Sequence, residues 1–316
     1  MIISASRRTD IPAFYSDWFI NRINAGYLYV ANPMNRKQVS KIQLSSNLVD
    51  CIVFWSKNPK PILSKLKYLS DYNYYFQYTI TAYDNDIERN LPSKSELLDT
   101  FKILSDTIGP ERVIWRYDPI FYTDKYTYDN HLKLFGMMAK ELSGYTHKCI
   151  ISFLDNYKKT LRNMKCCPHV LSSEAEVLDI SRALVSITNH YNMVLETCAE
   201  EVNLKYLGIE NGKCIDDKLV ERIAGKHLTI GKDKTQREVC GCVASIDIGA
   251  YNTCNHHCLY CYANLDHLKA TANFERHNPD SELLFGELIG DEKITLREMK
   301  RLFEVDSSVN LQGSLF

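Results

Sequence analysis

Three thiols crowd one short stretch, CNHHCLYCYAN at residues 254 to 264: Cys254, Cys258 and Cys261. Thiolates are ligands for soft metals, and their spacing decides which centre they suit. A structural zinc ion wants four ligands and commonly receives them as two separated pairs. Here the cysteines come as a trio on one loop. Three thiolates hold three corners of a [4Fe–4S] cluster and leave the fourth iron open, where a ligand would be activated. His256 and His257 lie between them, to hydrogen-bond cluster sulfur and tune its potential, or simply to face solvent.

Four further cysteines, Cys198, Cys214, Cys240 and Cys242, fall in the polar settings ETCAEE, NGKCIDD and REVCGCVA. Gathered in space they would hold a zinc ion or a second iron–sulfur cluster. Scattered, they would be small buried hydrophobes. Cys51 and Cys149 begin apolar runs and read as core.

The rest of the chemistry sits where apolar runs end. Arg7, Arg8 and Asp10 follow the first such run, Lys57 the second, and Arg116 and Asp118 close the fourth. Glu196 ends the sixth and Asp247 belongs to the last. Guanidinium groups offer a planar fork to carboxylate or phosphate, so Arg7, Arg8 and Lys57 suit an anionic cofactor. Arg116, Asp118 and Glu196 are the candidate catalytic groups, the acids for an amine, a ribose hydroxyl or a proton in transit.

The elements that must position these residues alternate. The runs IISAS (2–6), CIVFWS (51–56), YYFQYTIT (74–81), RVIWRY (112–117), CIISFL (149–154), MVLET (193–197) and VASIDI (243–248) are apolar and rich in β-branched or aromatic residues. Strands buried on both faces read this way. Between them SKSELLDTFKILSDTIG, DNHLKLFGMMAKELSG and SEAEVLDISRALVSITNHY carry helical spacing with polar starts. Strand, helix, strand argues for successive βαβ units and an α/β protein with a parallel sheet. Seven units suggest a TIM-type (β/α) barrel over residues 1–270, with the cysteine loop at 250–262. An open doubly wound parallel sheet is the alternative. In either, the carboxyl ends of the strands share one face, the face that hosts chemistry. Residues 271–316 read as an extension and tail, including one more helix-like stretch, TLREMKRLFEV.

Composition excludes little. Hydrophobic residues make up 45%, charged residues 24%, and the formal net charge is −1, so no global field recruits nucleic acid or anionic membrane. No stretch approaches the roughly 18 apolar residues of a membrane span. The opening MIISASRRTDIPAF lacks the features of a signal peptide. A cytoplasmic chain is expected, in which eleven cysteines favour metal binding over disulfides.

The motif C-x-x-x-C-x-x-C, with Tyr260 just before the last cysteine and a strand before the loop, resembles the radical S-adenosylmethionine signature. That resemblance implies a [4Fe–4S] cluster on Cys254, Cys258 and Cys261. It implies S-adenosylmethionine chelated at the open iron, reductive cleavage to a 5′-deoxyadenosyl radical, and a small reductant protein such as flavodoxin or ferredoxin. Arg7, Arg8, Asp10, Lys57, Asp247 and Tyr260 are the expected cofactor-binding residues. The loop follows the last strand rather than the first, which a permuted barrel would reconcile. No Gly-Gly-Glu stretch follows it. The features SRRTDIPAF, FWSKNP, WRYDPI, CGC and the final cysteine loop also resemble a bacterial family of uncharacterised function with such a cluster at its carboxyl end.

Three functions are thus open. The first is a radical S-adenosylmethionine-type enzyme of unknown substrate. The second is a non-catalytic or redox iron–sulfur protein that binds a ligand, and the third a zinc-stabilised barrel enzyme. The tail QGSLF, Gln312 to Phe316, resembles the peptide with which replication and repair proteins dock on the DNA sliding clamp. That would place the protein near DNA.

Overall fold

The computed structural model describes residues 1–155 and 158–303; Gln312–Phe316 lies outside the described residues. The strands are β1 (Ile2–Ala5), β2 (Tyr27–Asn32), β3 (Asn35–Gln43), β4 (Cys51–Ser56), β5 (Tyr74–Thr79), β6 (Val113–Ile120), β7 (Lys148–Phe153), β8 (Val194–Thr197), β9 (Glu210–Asn211), β10 (Ile246–Asp247) and β11 (Lys293–Leu296). The helices are α1 (Ile11–Phe14), α2 (Ser16–Ala25), α3 (Lys94–Ile108), α4 (Tyr128–Glu141), α5 (Lys158–Asn163), α6 (Glu174–His190), α7 (Asp217–Ala224) and α8 (His267–Glu275).

Eight strands form one parallel sheet in the order β10-β1-β4-β5-β6-β7-β8-β9. The last strand in the sequence therefore lies beside the first, with Ile246 opposite Ile3 and Asp247 opposite Ser4. The edges β9 and β10 do not pair with each other, so the sheet is open. A closed barrel is not formed; the alternative, an open parallel sheet covered on both faces, fits. The physical reason lies in the edges and in what fills the space between them. Both edge strands are two residues long, and the chain from Cys198 to Val243 packs across one face. There Tyr75 and Gln77 of the central strand β5 donate to the Cys214 carbonyl at 2.7 and 2.9 Å.

Alternation along the strands explains both cores. Ile3, Ala5, Ile52, Phe54, Phe76, Val113, Trp115 and Ile151 pack with Phe19, Leu97, Phe101, Phe135 and Leu184 of the helices. Their neighbours Ile2, Cys51, Val53, Tyr75, Ile114 and Ile150 pack with Ile215, Leu219, Val220 and Val243. A strand buried on both faces has no polar positions to spare, which is why these runs read as continuous apolar stretches. The helices start where polar caps allow: Ser93, Thr127 and Ser173 accept from Glu96 N, Asn130 N and Glu176 N, satisfying amides that have no partner inside the helix.

A second sheet was not foreseen. β2 and β3 form an antiparallel hairpin and β11 joins β3 in parallel, Ile294 opposite Val39. Within TLREMKRLFEV the described residues 295–303 form no helix: the first two belong to β11 and the rest carry no helix or strand beyond a bridge from Phe303 to Leu228. Pairing with β3 outweighs its helical spacing. Residues 281–297 lie against the hairpin and α2, with Tyr29 N donating to Glu282 O, Trp18 Nε1 to Ser281 O and Arg297 N to Lys41 O, each at 2.9 Å.

Candidate functional site

On the face where Ile2, Val53, Tyr75, Ile114 and Ile150 are apolar, the next residues toward the carboxyl end are Ser4, Trp55, Gln77, Arg116 and Ser152. One layer further come Ser6, Lys57, Thr79 and Asp118. A period of two puts each such set in one layer, so the floor of this face is apolar and its upper layers are polar. A cavity of about 520 Å³ opens there, at the carboxyl ends of the strands.

The cysteine loop forms one wall of that cavity. It leaves β10, which β1 holds in register, and its two ends are fastened together: Asn252 N donates to Ala263 O, and Leu265 N to the Asn252 side chain. Asn252 and His257 adopt left-handed backbone conformations, φ 57° and 56°, which reverse the chain within a few residues. The loop after β5 grips it from outside, with Leu259 N donating to Ile87 O and Asn90 N to His256 O. A helix begins only at His267, capped by Asp266. Until then the chain is engaged by these loop contacts.

Cys254, Cys258 and Cys261 all line the cavity, and so do Arg7, Arg8, Asp10, Lys57, Arg116, Asp118, Asp247 and Tyr260. Glu196 does not. It pairs with Lys148, at the start of β7, at 2.7 Å beneath Gly212, on the same sheet face as its register partner Ile150 but below the polar layers of the site. Several of the others serve first as ties. Asp247 accepts from Ser4 Oγ, Ser6 Oγ, Arg7 N and Gly249 N at 2.8–3.0 Å, fastening β10 to β1. Asp10 accepts from Ala13 N, Lys57 N and His256 Nε2. His256 is buried in that bond against Phe14, while His257 is half-buried beside Thr271.

Glu88 is the residue that sequence reasoning missed. It is buried, accepts from Lys57 Nζ at 2.7 Å, Lys94 Nζ at 3.1 Å and Thr81 Oγ1 at 2.7 Å, and takes the Tyr260 hydroxyl as well. Burial alone would raise its pKa, but the two ammonium groups outweigh that and hold it at about 2. Tyr260, which lines the cavity, thus has its hydroxyl tied to a fixed carboxylate. Glu88 sits in the irregular stretch DNDIERN, where no periodicity marks it. Burial pushes the Cys258 and Cys261 thiols up, while the nearby Lys57 charge works the other way.

Opposite the loop, Arg116 lies in the first polar layer above that apolar floor. Its Nε and Nη2 donate to Asp118, whose other oxygen takes the Ser152 hydroxyl, and its Nη1 reaches Gln77 Oε1 and Cys214 Sγ. Burial disfavours the Asp118 carboxylate, yet the Arg116 guanidinium and the Ser152 bond keep its pKa below the ordinary value. Cys198, Cys214, Cys240 and Cys242 also line the cavity. Among the described residues no three His, Cys, Asp or Glu side chains converge as a single metal ion requires.

A family model described as "Domain of unknown function (DUF1848)" matches residues 2–263. The chain belongs to this family. The DUF1848 match ends with the cysteine loop and so takes in both walls of the cavity and all its cysteines. No curated protein and no solved structure matches the chain. Among the described residues of this DUF1848 protein, no helix is long and apolar enough to cross a membrane.

Proposed function

We propose that the protein is a radical S-adenosylmethionine-type iron–sulfur enzyme whose substrate is not fixed by its sequence. The observation that carries this reading is the shared cavity. Three thiols from one loop face Arg7, Arg8, Lys57, Arg116 and Asp118 across a space roomy enough for a small molecule. The donor set suits a [4Fe–4S] cluster: the three cysteines line one cavity and burden one another's ionisation, and three thiolates from one loop leave one iron of such a cluster open. Cys254, Cys258 and Cys261 would hold the cluster, which when bound supplies the electron for reductive cleavage of S-adenosylmethionine.

The protein's own groups would do the rest. Arg8 and Arg7 offer cationic forks to a carboxylate at the seam of β1 and β10. Lys57, fixed by Glu88, sets a positive charge beside Cys258. Asp118, held ionised by Arg116, presents an acceptor on the opposite wall. The reading further implies a reductant protein such as flavodoxin or ferredoxin, and the tail Gln312–Phe316 is proposed as the contact to a DNA sliding clamp.

Anaerobically purified protein should be brown, with iron and sulfide in equal amounts. With a strong reductant it should consume S-adenosylmethionine. A colourless, iron-free protein after reconstitution with iron and sulfide sinks the proposal. A brown protein that leaves S-adenosylmethionine intact leaves the second reading, a ligand-binding redox protein.

A further inference from the structure

Two thiols of the cavity touch, and the backbone on either side holds them in contact. Cys198 Sγ lies 3.3 Å from Cys214 Sγ, 16 positions away in the chain. Cys198 follows β8, and its N–H donates to Ile151 O of β7 at 2.9 Å. The Cys214 carbonyl accepts from Tyr75 and Gln77 of β5. Gly212 makes the approach possible. Its N–H donates to Thr197 O at 2.8 Å, and a Cβ there would press on the Glu196 side chain and lie 3.1 Å from that same oxygen. Any other residue at 212 would push the chain bearing Cys214 away from the end of β8.

The pair is also within reach of a small molecule. Buried structural thiols are ordinarily inert, but both of these line the cavity and Cys198 is only half-buried. The bond to Cys214 and burial hold the Cys198 thiol well above its ordinary pKa, so at rest the two stand as thiols. Arg116 Nη1 donates to Cys214 Sγ from 2.8 Å, a cation placed to stabilise charge on that sulfur. Cys242 lines the same cavity, but its sulfur accepts from Ile215 N at 3.4 Å. A disulfide sets its sulfurs about 2.05 Å apart, so this pair closes by about 1.2 Å to form one.

We propose that Cys198 and Cys214 are a site of reversible oxidation, closed to a disulfide by a peroxide that enters the cavity. Cys198, the more open of the two, attacks one peroxide oxygen as thiolate; the O–O bond breaks, leaving a sulfenic acid and, with the thiol's proton, the first water. Cys214 then attacks the sulfenic sulfur. The S–O bond breaks as the S–S bond forms, and the Cys214 proton leaves with the oxygen as the second water. Each sulfur has given up one electron and the peroxide has taken two. A thiol reductant reverses the change by thiol–disulfide exchange. The bridge would fasten the segment packed across the sheet face to the end of β8. It shares no thiol with the cysteine loop and stands apart from the function proposed for that loop.

Full-length wild type and the loop variant C254S/C258S/C261S are reduced, freed of reductant and treated with hydrogen peroxide. Remaining thiols are blocked, and mass spectrometry of the digested protein locates the bridges. The loop variant keeps damage to a cluster from being mistaken for the reaction. Both proteins should carry the Cys198–Cys214 bridge and recover both thiols with dithiothreitol. In C214S the first step should stall, leaving at Cys198 a sulfenic acid that dimedone labels; a folded C214S without that label overturns the order of attack. Untouched thiols in the folded wild type, or Cys198 bridged to any other cysteine, overturn the proposal. So does a Cys198–Cys214 bridge that forms as readily in urea, where only closeness in sequence remains. Should a variant fail to fold, the bridges of the wild type, folded and in urea, decide alone.

Discussion

Asp10 accepts a hydrogen bond from His256 Nε2 at 2.8 Å, joining two residues 246 positions apart. Both side chains are buried, and the same carboxylate also caps α1 and receives Lys57 N. One side chain thus fixes the cysteine loop to the loops after β1 and β4.

Asp10→Ala should therefore loosen the cysteine loop without touching a thiol. Partners that orient metal ligands are worth about 10–100-fold in affinity. A tenfold or greater loss, by that about 10–100-fold measure, is expected in the iron retained against a chelator. Unchanged retention would show that the Asp10–His256 contact does not hold the loop.

Arg116→Met should destabilise the fold more than its position at a cavity suggests. Asp118 would be left half-buried beside Ser152 without its guanidinium, at a cost below the about 3–5 kcal/mol of breaking a fully buried pair. The double variant R116M/D118L removes both charges and should recover part of that loss. Urea unfolding of the two variants checks this, and equal instability of both argues against the stranded carboxylate.

Acid should weaken the protein in two stages. His131 is buried, with Nδ1 at 2.7 Å from the Tyr117 hydroxyl and Nε2 at 3.0 Å from the Phe121 carbonyl. Burial lowers its pKa to about 4, although the carbonyl contact opposes the shift. The folded value lies below the unfolded one, so the stabilisation is complete above about pH 6.5. It is lost as pH falls toward 4, at a cost of about 3 kcal/mol, because only the unfolded chain takes up the proton. Glu88 follows: its contribution is full above the ordinary carboxylate range and lost as pH falls toward 2. His131→Gln should flatten the first stage alone, and a urea midpoint in that variant that still falls steeply from pH 7 to 4 contradicts the assignment.

Cys258→Ala should abolish visible absorption and S-adenosylmethionine consumption together, since three loop thiolates are the fewest that hold a cluster with one open iron. Retention of full iron content refutes the cluster assignment.

The parallel strands were legible because each is an apolar run buried on both faces; Cys51–Ser56 falls where it was expected. The hairpin was not. β3 reads NRKQVSKIQ, exposed over its first four residues, and only Val39 and Ile42 mark its buried side. Closure of the sheet was beyond the sequence because it depends on edge pairing and on the segment packed across one face. The cavity's thiols and cations were legible by residue type at strand ends. Their ties were not: Glu88, His256 and Gln77 act through contacts between loops distant in the chain, which leave no local pattern. VASIDI kept only Ile246 and Asp247 as strand, since Val243 is already paired with Ile215 on the other face.

The neighbouring positions of β1 and β10 also set an order of events during synthesis. Ser4 bonds to Asp247, 243 residues later, so one edge of β1 stays bare while every other strand of the sheet leaves the ribosome. An unpaired edge invites wrong partners, and chains fold largely in the order in which they emerge. Buried Ser4 and the short length of β1 make that waiting edge a poor template for them. The thiols of the cysteine loop arrive last, at a cavity whose other walls are already built. Loading of the proposed cluster would thereby come at the end of the protein's maturation, and a chain stopped before Asp247 would lack both the strand that completes the sheet and the loop that closes the site.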